Sequence, residues 1–156
     1  MPLVKSGTEL TYVTRAVEVL FTETAVAGVY TGSVSLPAGS TLEDVIIHGV
    51  ALWSATTSAI MKVGDVADDD GFFIGVDLKA VDLLAGEALS FGDPGGKNGA
   101  DVDIPNVAGA QIRRRFLAAA RVVSGIITTV GAAGATGITR MTVVFSVPLT
   151  TNASKV

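Results

Sequence analysis

The fold class is clearest in residues 140–147, which read Arg-Met-Thr-Val-Val-Phe-Ser-Val. Met141, Val143, Phe145 and Val147 alternate with a second set that is mostly polar, so one face of this segment is apolar. A period of two places successive side chains on opposite faces of a β-strand, and β-branched residues favour that conformation. Residues 140–147 therefore predict a strand with one face turned towards a core.

The same period recurs along the chain, between turn signals rich in glycine and proline. We predict strands at roughly 10–22, 29–36, 42–53, 58–64, 87–91, 112–130 and 139–148. The turn signals include Leu-Pro-Ala-Gly-Ser at 36–40, the glycine-rich segment 93–99 and the Gly/Ala segment 131–137. Many short strands with such punctuation predict an all-β fold, a β-sandwich or a barrel.

Two local features give more detailed expectations. The β-branched runs near 121–130 and 139–148 flank the glycine-rich connector 131–137, which predicts an antiparallel hairpin. Residues 75–85 carry apolar side chains at a rough helical spacing and fit either one or two helical turns or an irregular loop.

The composition points to a subunit of an assembly. The 156 residues fit one domain, which we place at residues 10–149 between an N-terminal arm, 1–9, and a C-terminal tail, 150–156. Hydrophobic residues make up 49% and charged residues only 17% of the chain, against a usual charged share of about 25%. A surface this poor in charge predicts burial against other protein, and therefore an oligomeric or poorly soluble isolated chain.

Several partner classes are disfavoured. The chain has no cysteine, which excludes disulfides and thiolate metal sites. A net charge of −4 argues against a nucleic-acid partner, because binding phosphates needs clustered Lys and Arg. The uncharged stretches 45–61 and 122–139 approach the length of a membrane span, but the second is rich in Gly, Ser and Thr. We predict no membrane partner.

An acidic cluster at residues 65–70 has two interpretations. Asp65, Asp68 and Asp70, followed by Gly71, resemble the start of a calcium loop, but their spacing departs from the EF-hand pattern. The alternative is a solvated turn whose like charges spread into water, which the sequence favours. Asp65, Asp68 and Asp70 are the candidates for a metal site on the first interpretation.

No catalytic constellation is visible in the sequence. His48 is the only histidine, and it lies in the apolar run 45–52, which predicts a buried or interface histidine. Neither a nucleophile motif nor a phosphate loop nor a zinc-binding histidine pair occurs. We therefore predict no catalytic residues, no cofactor and no enzymatic activity.

The only basic run is Arg113-Arg114-Arg115. It fits a solvated strand edge, and it also fits an interface in which at least one arginine pairs with a carboxylate of a neighbouring subunit. The larger aromatic residues are predicted as core residues or as anchors between subunits: Trp53, Phe72, Phe73, Phe91, Phe116 and Phe145.

Three groups of segments resemble small virion structural proteins of tailed bacteriophages. The first is the strand, Leu-Pro-Ala-Gly turn and strand start of Val34–Leu42. The second is the series Lys62–Asp65, Asp70–Phe72 and Gly75–Leu78, and the third is the pair of runs Ile126–Thr129 and Thr142–Pro148. The chain is similar to the jelly-roll or β-sandwich decoration (cement) proteins, head fibres and tail components of that group.

The resemblance implies an all-β, jelly-roll-like β-sandwich with a structural role. The first expectation is a capsid decoration protein that lies on the virion exterior as a homotrimer, with the major capsid protein as partner. The second is a tail or head-fibre component. A receptor- or carbohydrate-binding β-sandwich is the third, and it is disfavoured because the chain has one Trp and two Tyr.

Overall fold

A computed structural model describes residues 11–93, 97–103, 111–112 and 115–149. These residues form ten β-strands and no helix. In chain order the strands are β1 Tyr12–Thr22, β2 Val29–Leu36, β3 Thr41–Ala51, β4 Ser58–Gly64, β5 Phe73–Asp77, β6 Ala88–Leu89, β7 Val102–Asp103, β8 Gln111–Ile112, β9 Arg121–Val130 and β10 Ile138–Pro148.

Eight of the strands form two four-stranded antiparallel sheets that pack face to face. The first sheet has the order β1-β10-β3-β6, and the second has the order β2-β9-β4-β5. The strand pairs are nested: β1 with β10, β2 with β9, β3 with β6, and β4 with β5. The chain is thus a long folded-back ribbon whose successive pairs alternate between the sheets, which is the jelly-roll arrangement. The predicted all-β, jelly-roll-like single domain is confirmed.

The core lies between the inner faces of the two sheets. Met141 and Val143 of β10 and Ile127 of β9 are fully buried, as their alternation predicts. Burying side chains of this size stabilises the fold by roughly 1.5–3 kcal/mol each. At Gly125 the sheets approach so closely that a Cβ would lie 2.8 Å from the Met141 Sδ.

The predicted hairpin between residues 121–130 and 139–148 is wrong. β9 pairs with β2 and β4, whereas β10 pairs with β1 and β3, so the two strands lie in opposite sheets. Each strand has an apolar inner face, and both faces are buried when the strands face each other across the core. The connector 131–137 crosses between the sheets, and it is longer than the two-residue loops of tight hairpins.

The segment 75–85 forms no helix. Its first residues belong to β5, and the rest form turns. Asp77 Oδ1 accepts the main-chain N–H of Lys79 at 2.7 Å, and Asp82 Oδ2 accepts the N–H of Asp77 at 2.7 Å. Such short-range side-chain acceptors compete with helical hydrogen bonds, which explains the irregular path.

The remaining boundaries differ from the sequence predictions in places. Of the strand predicted at 112–130, Ile112 belongs to β8 and Arg121–Val130 forms β9, whereas residues 118–120 form no strand. The sequence predicts neither β7 nor its pairing with β8. The predicted arm at 1–9 and tail at 150–156 lie outside the described residues, so those limits stay predictions. The described part of the chain contains no helix long and apolar enough to cross a membrane.

Candidate interaction surfaces

One side of the sandwich has two free strand edges. β1 ends the first sheet and β2 ends the second, and both lie on the same side of the molecule. Six of the fifteen large apolar side chains that are exposed among the described residues lie in these strands or between them: Tyr12, Val13, Val17, Leu20, Val26 and Val29. We call this side, formed by β1 and β2, the open edge.

Loops cover parts of the opposite side. The Ile74 N–H of β5 donates to the Lys97 carbonyl at 2.9 Å, and a single bridge joins Phe73 to Asn98. Beside β6, Gly86 and Glu87 bond the main chain of Gly49 at 2.7 and 3.0 Å. The Lys97–Asn98 segment therefore covers the outer edge of β5, and residues 86–87 extend the pairing of β6 with β3. Among the described residues, no loop bonds the main chain at the outer edge of β1 or β2.

A second exposed apolar surface is a groove of about 540 Å³ between the β4–β5 turn and the segment before β9. Its lining residues are Asp65, Val66, Ala67, Leu117, Ala119, Ala120, Arg121 and Val122. Val66 is 95% exposed, and Phe116, next to Leu117 in sequence, is 54% exposed. An apolar groove of this kind is typical of a binding surface. Phe116 is the exception among the six predicted aromatics, because the other five are buried in the core.

Of the three arginines, only Arg115 lies within the described residues. Its guanidinium contacts the Glu43 carboxylate of the same chain, and its Nε donates to the Leu42 carbonyl at 3.0 Å. The Arg115 carbonyl accepts a hydrogen bond from Arg121 at 2.8 Å. Arg115 thus ties the segment before β9 to β3. Arg113 and Arg114 lie outside the described residues, so the predicted contact with a neighbouring subunit stays a prediction.

The structure divides the acidic cluster into two parts. Asp65 is buried, and its Oδ1 accepts the Ala67 N–H at 2.9 Å, so it holds the turn together. One carboxylate oxygen from each of Asp68, Asp69 and Asp70 lies within 4.8 Å of the other two. Lys62 Nζ lies 2.5 Å from Asp69 Oδ2, which supplies a positive charge from the protein itself. This arrangement fits the solvated-turn interpretation.

The carboxylates around Asp70 lead to a prediction about the stability of an Asp70 variant. A hydrogen bond with the Asp68 side chain, then burial, then the like charges of Asp68 and Asp69 raise the pKa of Asp70. A carboxyl with a raised folded pKa stabilises the fold while protonated, and this contribution is lost as pH rises through that pKa. We therefore expect Asp70→Asn to keep or raise the melting temperature at pH 7, with a smaller difference in acid.

The same measurement tests the metal alternative. EDTA is expected to leave the melting temperature of the wild-type chain unchanged. If calcium instead stabilised the wild type and not Asp70→Asn, the cluster would be a cation site and the solvated-turn interpretation would be wrong.

His48 lies on the outer face of the first sheet and is half-buried. It is opposite Arg140 of β10 and Ala88 of β6 in the strand register. A shallow cavity of about 230 Å³ adjoins it, lined also by Glu87 and Arg140. Arg140 in turn lies 3.3 Å from the Glu18 carboxylate. The residue is thus not in the core, and it fits the interface alternative of the sequence prediction.

Sequence analysis missed the buried, highly connected carboxylate of Glu23. It lies just after β1, is 2% exposed, and accepts hydrogen bonds from five donors. The donors are the N–H and hydroxyl of Ser54 and the N–H groups of Ala55, Thr136 and Gly137, at 2.7–3.1 Å. Burial favours the neutral carboxyl, but these bonds outweigh it and hold the pKa of Glu23 below its ordinary value. Glu23 joins the end of β1 to two connectors and has a structural role.

No model of a known protein family matches the chain, and no curated protein sequence matches it. A chain from the acidic stable capsid of Helicobacter pylori bacteriophage KHP30 has the same fold, with a TM-score of 0.51 at 18% sequence identity. In fold, this chain is similar to a bacteriophage capsid chain. The alignment covers 89% of this chain and 98% of the KHP30 chain. A chain from the capsid asymmetric unit of cyanophage Pam1 aligns with a TM-score of 0.43 at 16% identity, over 95% and 94% of the two chains.

Proposed function

We propose that this chain is a capsid decoration protein that binds the exterior of an assembled bacteriophage shell and stabilises it. The observation that carries the proposal is the alignment with the KHP30 capsid chain, which spans 98% of that chain. The low charged content of 17% supports it, because a decorating subunit buries part of its surface against other protein. The proposed partner is the major capsid protein.

The proposed mechanism is stabilisation by binding, without a chemical step. A subunit that binds the assembled shell and not its separated parts shifts the equilibrium towards the shell, by about 2.7 kcal/mol per site at a free concentration of 100 times Kd. The mechanism requires no cofactor and no catalytic residue. Absence of enzymatic activity stays a prediction, which a screen against polysaccharides and other hydrolase substrates tests.

The groove beside Val66 is the surface we assign to the shell. Its lining is mostly apolar, and the exposed ring of Phe116 lies next in sequence to the lining residue Leu117. Burial of these side chains removes apolar surface from water, which contributes a favourable free energy of about 25 cal/mol per Å² of buried area. The loss of translational, rotational and side-chain freedom on binding opposes this contribution. Arg113 and Arg114 belong to the same stretch of sequence, and we keep the proposal that at least one of them pairs with a carboxylate of a neighbouring subunit.

Shell binding is tested with particles that lack this chain. The purified chain is added to assembled shells and to unassembled shell protein, and co-sedimentation and the shell melting temperature are measured. We expect saturable binding to shells alone, with a rise in their melting temperature. We expect Val66→Asp to weaken binding at least tenfold, because it places a charge in an apolar contact. Val81→Asp is the matched control, since Val81 is 76% exposed and lies outside the groove.

Other outcomes separate the alternatives. Absence of binding to shells, together with labelling of the chain on tails or fibres, would overturn the decoration role and support a tail or head-fibre component. Equal loss of binding in Val66→Asp and Val81→Asp would remove the groove as the contact. Unchanged occupancy in Arg113→Ala and Arg114→Ala would remove the arginine proposal. The homotrimer that the resemblance implies stays a prediction, and it is the alternative to the two-fold pairing proposed below; the mass of the chain in solution distinguishes the two.

A further inference from the structure

β1 is an edge strand whose outer edge no other described strand or loop covers. It has eleven residues, and it pairs with β10 in one continuous register without a bulge. Natural proteins protect such edges with proline, bulges, charged side chains or covering loops; β1 contains no proline and no bulge, and its only charges are those of Arg15 and Glu18. Its apolar side chains are exposed on both faces: Tyr12 and Leu20 on one, Val13 and Val17 on the other. A long, regular edge of this kind is a template for another strand.

The hydrogen bonds at the two ends of β1 show which of its N–H and C=O groups point towards β10 and which point away from it. Leu149 N–H donates to the Thr11 carbonyl at 2.7 Å, and Glu23 N–H donates to the Gly137 carbonyl at 2.8 Å. Bonded pairs alternate in an antiparallel ladder, so the odd-numbered residues of β1 bond β10. The N–H and C=O groups of even-numbered residues therefore point away from β10, towards the open edge.

The sequence of β1 is self-complementary about Ala16. An antiparallel pairing of β1 with a second β1, with the two-fold axis at Ala16, aligns each residue with the one equally far on the other side. The aligned pairs are Tyr12 with Leu20, Val13 with Val19, Thr14 with Glu18, and Arg15 with Val17. In two of these pairs, Tyr12 with Leu20 and Val13 with Val19, both residues are large and apolar, and the small side chain of Ala16 meets its own copy at the centre.

The charges also allow this pairing. β1 carries one positive charge, Arg15, and one negative charge, Glu18, in a chain whose net charge is −4. About Ala16 neither charge meets its own copy, and the Thr14 hydroxyl of one chain is placed to donate to the Glu18 carboxylate of the other. An axis at Arg15 or at Glu18 would place like charges opposite each other, which destabilises a strand pair.

We propose that a second copy of this chain occupies the open edge, by antiparallel pairing of the two β1 strands about a two-fold axis at Ala16. The first sheets of the two copies then form one continuous eight-stranded sheet. Five even-numbered residues per chain, from 12 to 20, supply about ten main-chain hydrogen bonds, which is close to the number in a typical protein–protein interface. This pairing goes beyond the decoration role and does not depend on it.

Cross-linking tests the position of the axis, because the chain has no natural cysteine. At the axis the two Ala16 Cα atoms would be about 5.5 Å apart, within disulfide range, whereas the two Leu20 Cα atoms would be about 27 Å apart. We expect oxidised dimers from Ala16→Cys and few from Leu20→Cys. A mixture of Thr14→Cys and Glu18→Cys chains is expected to give more heterodimer than either gives homodimer. Equal cross-linking of Ala16→Cys and Leu20→Cys would overturn the proposal.

Sedimentation equilibrium of the cysteine-free chain tests the pairing itself. We expect a mass of two chains that dissociates on dilution, and at least a tenfold weaker association for Leu20→Lys, which replaces the apolar side chain opposite Tyr12 of the other copy with a charged one. Val81→Lys is the matched control, because it also removes an exposed valine and lies far from β1 in sequence. A wild-type monomer at high concentration, a mass of three chains, or equal effects of the two lysine variants would each overturn the proposal.

Discussion

Replacement of Glu23 by alanine is expected to lower the free energy of unfolding by about 3–5 kcal/mol. The change leaves five donors without their acceptor at a site that is 2% exposed in the wild-type chain. Three of these donors belong to Ser54 and Ala55, and two belong to the connector before β10. The expected fall in melting temperature is about 10 °C for a chain of this size, measured by calorimetry or circular dichroism.

The milder Glu23→Gln variant tests the charge and its pH dependence. The pKa of Glu23 is lowered in the folded chain, so its contribution to stability is complete above the ordinary value of 4.5 and is lost as pH falls through the folded pKa. We therefore expect the stability difference between wild type and Glu23→Gln to be largest at neutral pH and to narrow below about pH 4.5.

Glu18→Gln is the matched control for the Glu23 variants. Glu18 lies in β1, five residues before Glu23, but its side chain is 47% exposed and its ion pair with Arg140 spans 3.3 Å. Exposed pairs of this kind contribute at most about 1 kcal/mol, so a small change is expected. Equal destabilisation by Glu18→Gln and Glu23→Gln, or a Glu23 effect that grows in acid, would contradict the assigned role of Glu23.

The second large effect is expected for Gly64→Ala, at about 3 kcal/mol of destabilisation. A Cβ at Gly64 would lie 2.0 Å from the Asp68 carbonyl oxygen, 2.4 Å from the Asp69 carbonyl carbon and 2.7 Å from the Asp70 nitrogen. All three are main-chain atoms, so the turn after β4 has to move. That turn also carries Val66, and we therefore expect Gly64→Ala to weaken shell binding as well.

Gly28→Ala is the matched control for this substitution. Nothing lies within 4 Å of a Cβ built at Gly28, so its effect is expected to stay within about 0.5 kcal/mol. Chemical denaturation of both variants measures the two changes. Similar stabilities for Gly64→Ala and Gly28→Ala would show that the turn after β4 relaxes easily, contrary to the close packing described here.

The sequence predicted that the chain contacts other protein, but it did not predict which residues form the contact surfaces. Low charge predicted contacts with other protein, yet it did not predict that β1 ends a sheet. The basic run of residues 113–115 attracted attention through composition, whereas Arg115 binds Glu43 of its own chain. Glu23 gave no signal, because its partners lie 31 to 114 residues away and are mostly main-chain groups. A side chain's local sequence does not reveal such distant donors.

By itself the sequence determined the strand class, because alternation with a period of two is a local property that fixes which side chains share a face. Met141, Val143 and Phe145 were assigned to the core on that basis, and they are buried there. Only the tertiary structure decided the partners of each strand. β9 and β10 are adjacent in sequence and lie in opposite sheets, since an apolar inner face is buried by facing another sheet and not by pairing with the next strand. Edges, grooves and the Glu23 cluster arise from that choice of partners, which no local pattern encodes.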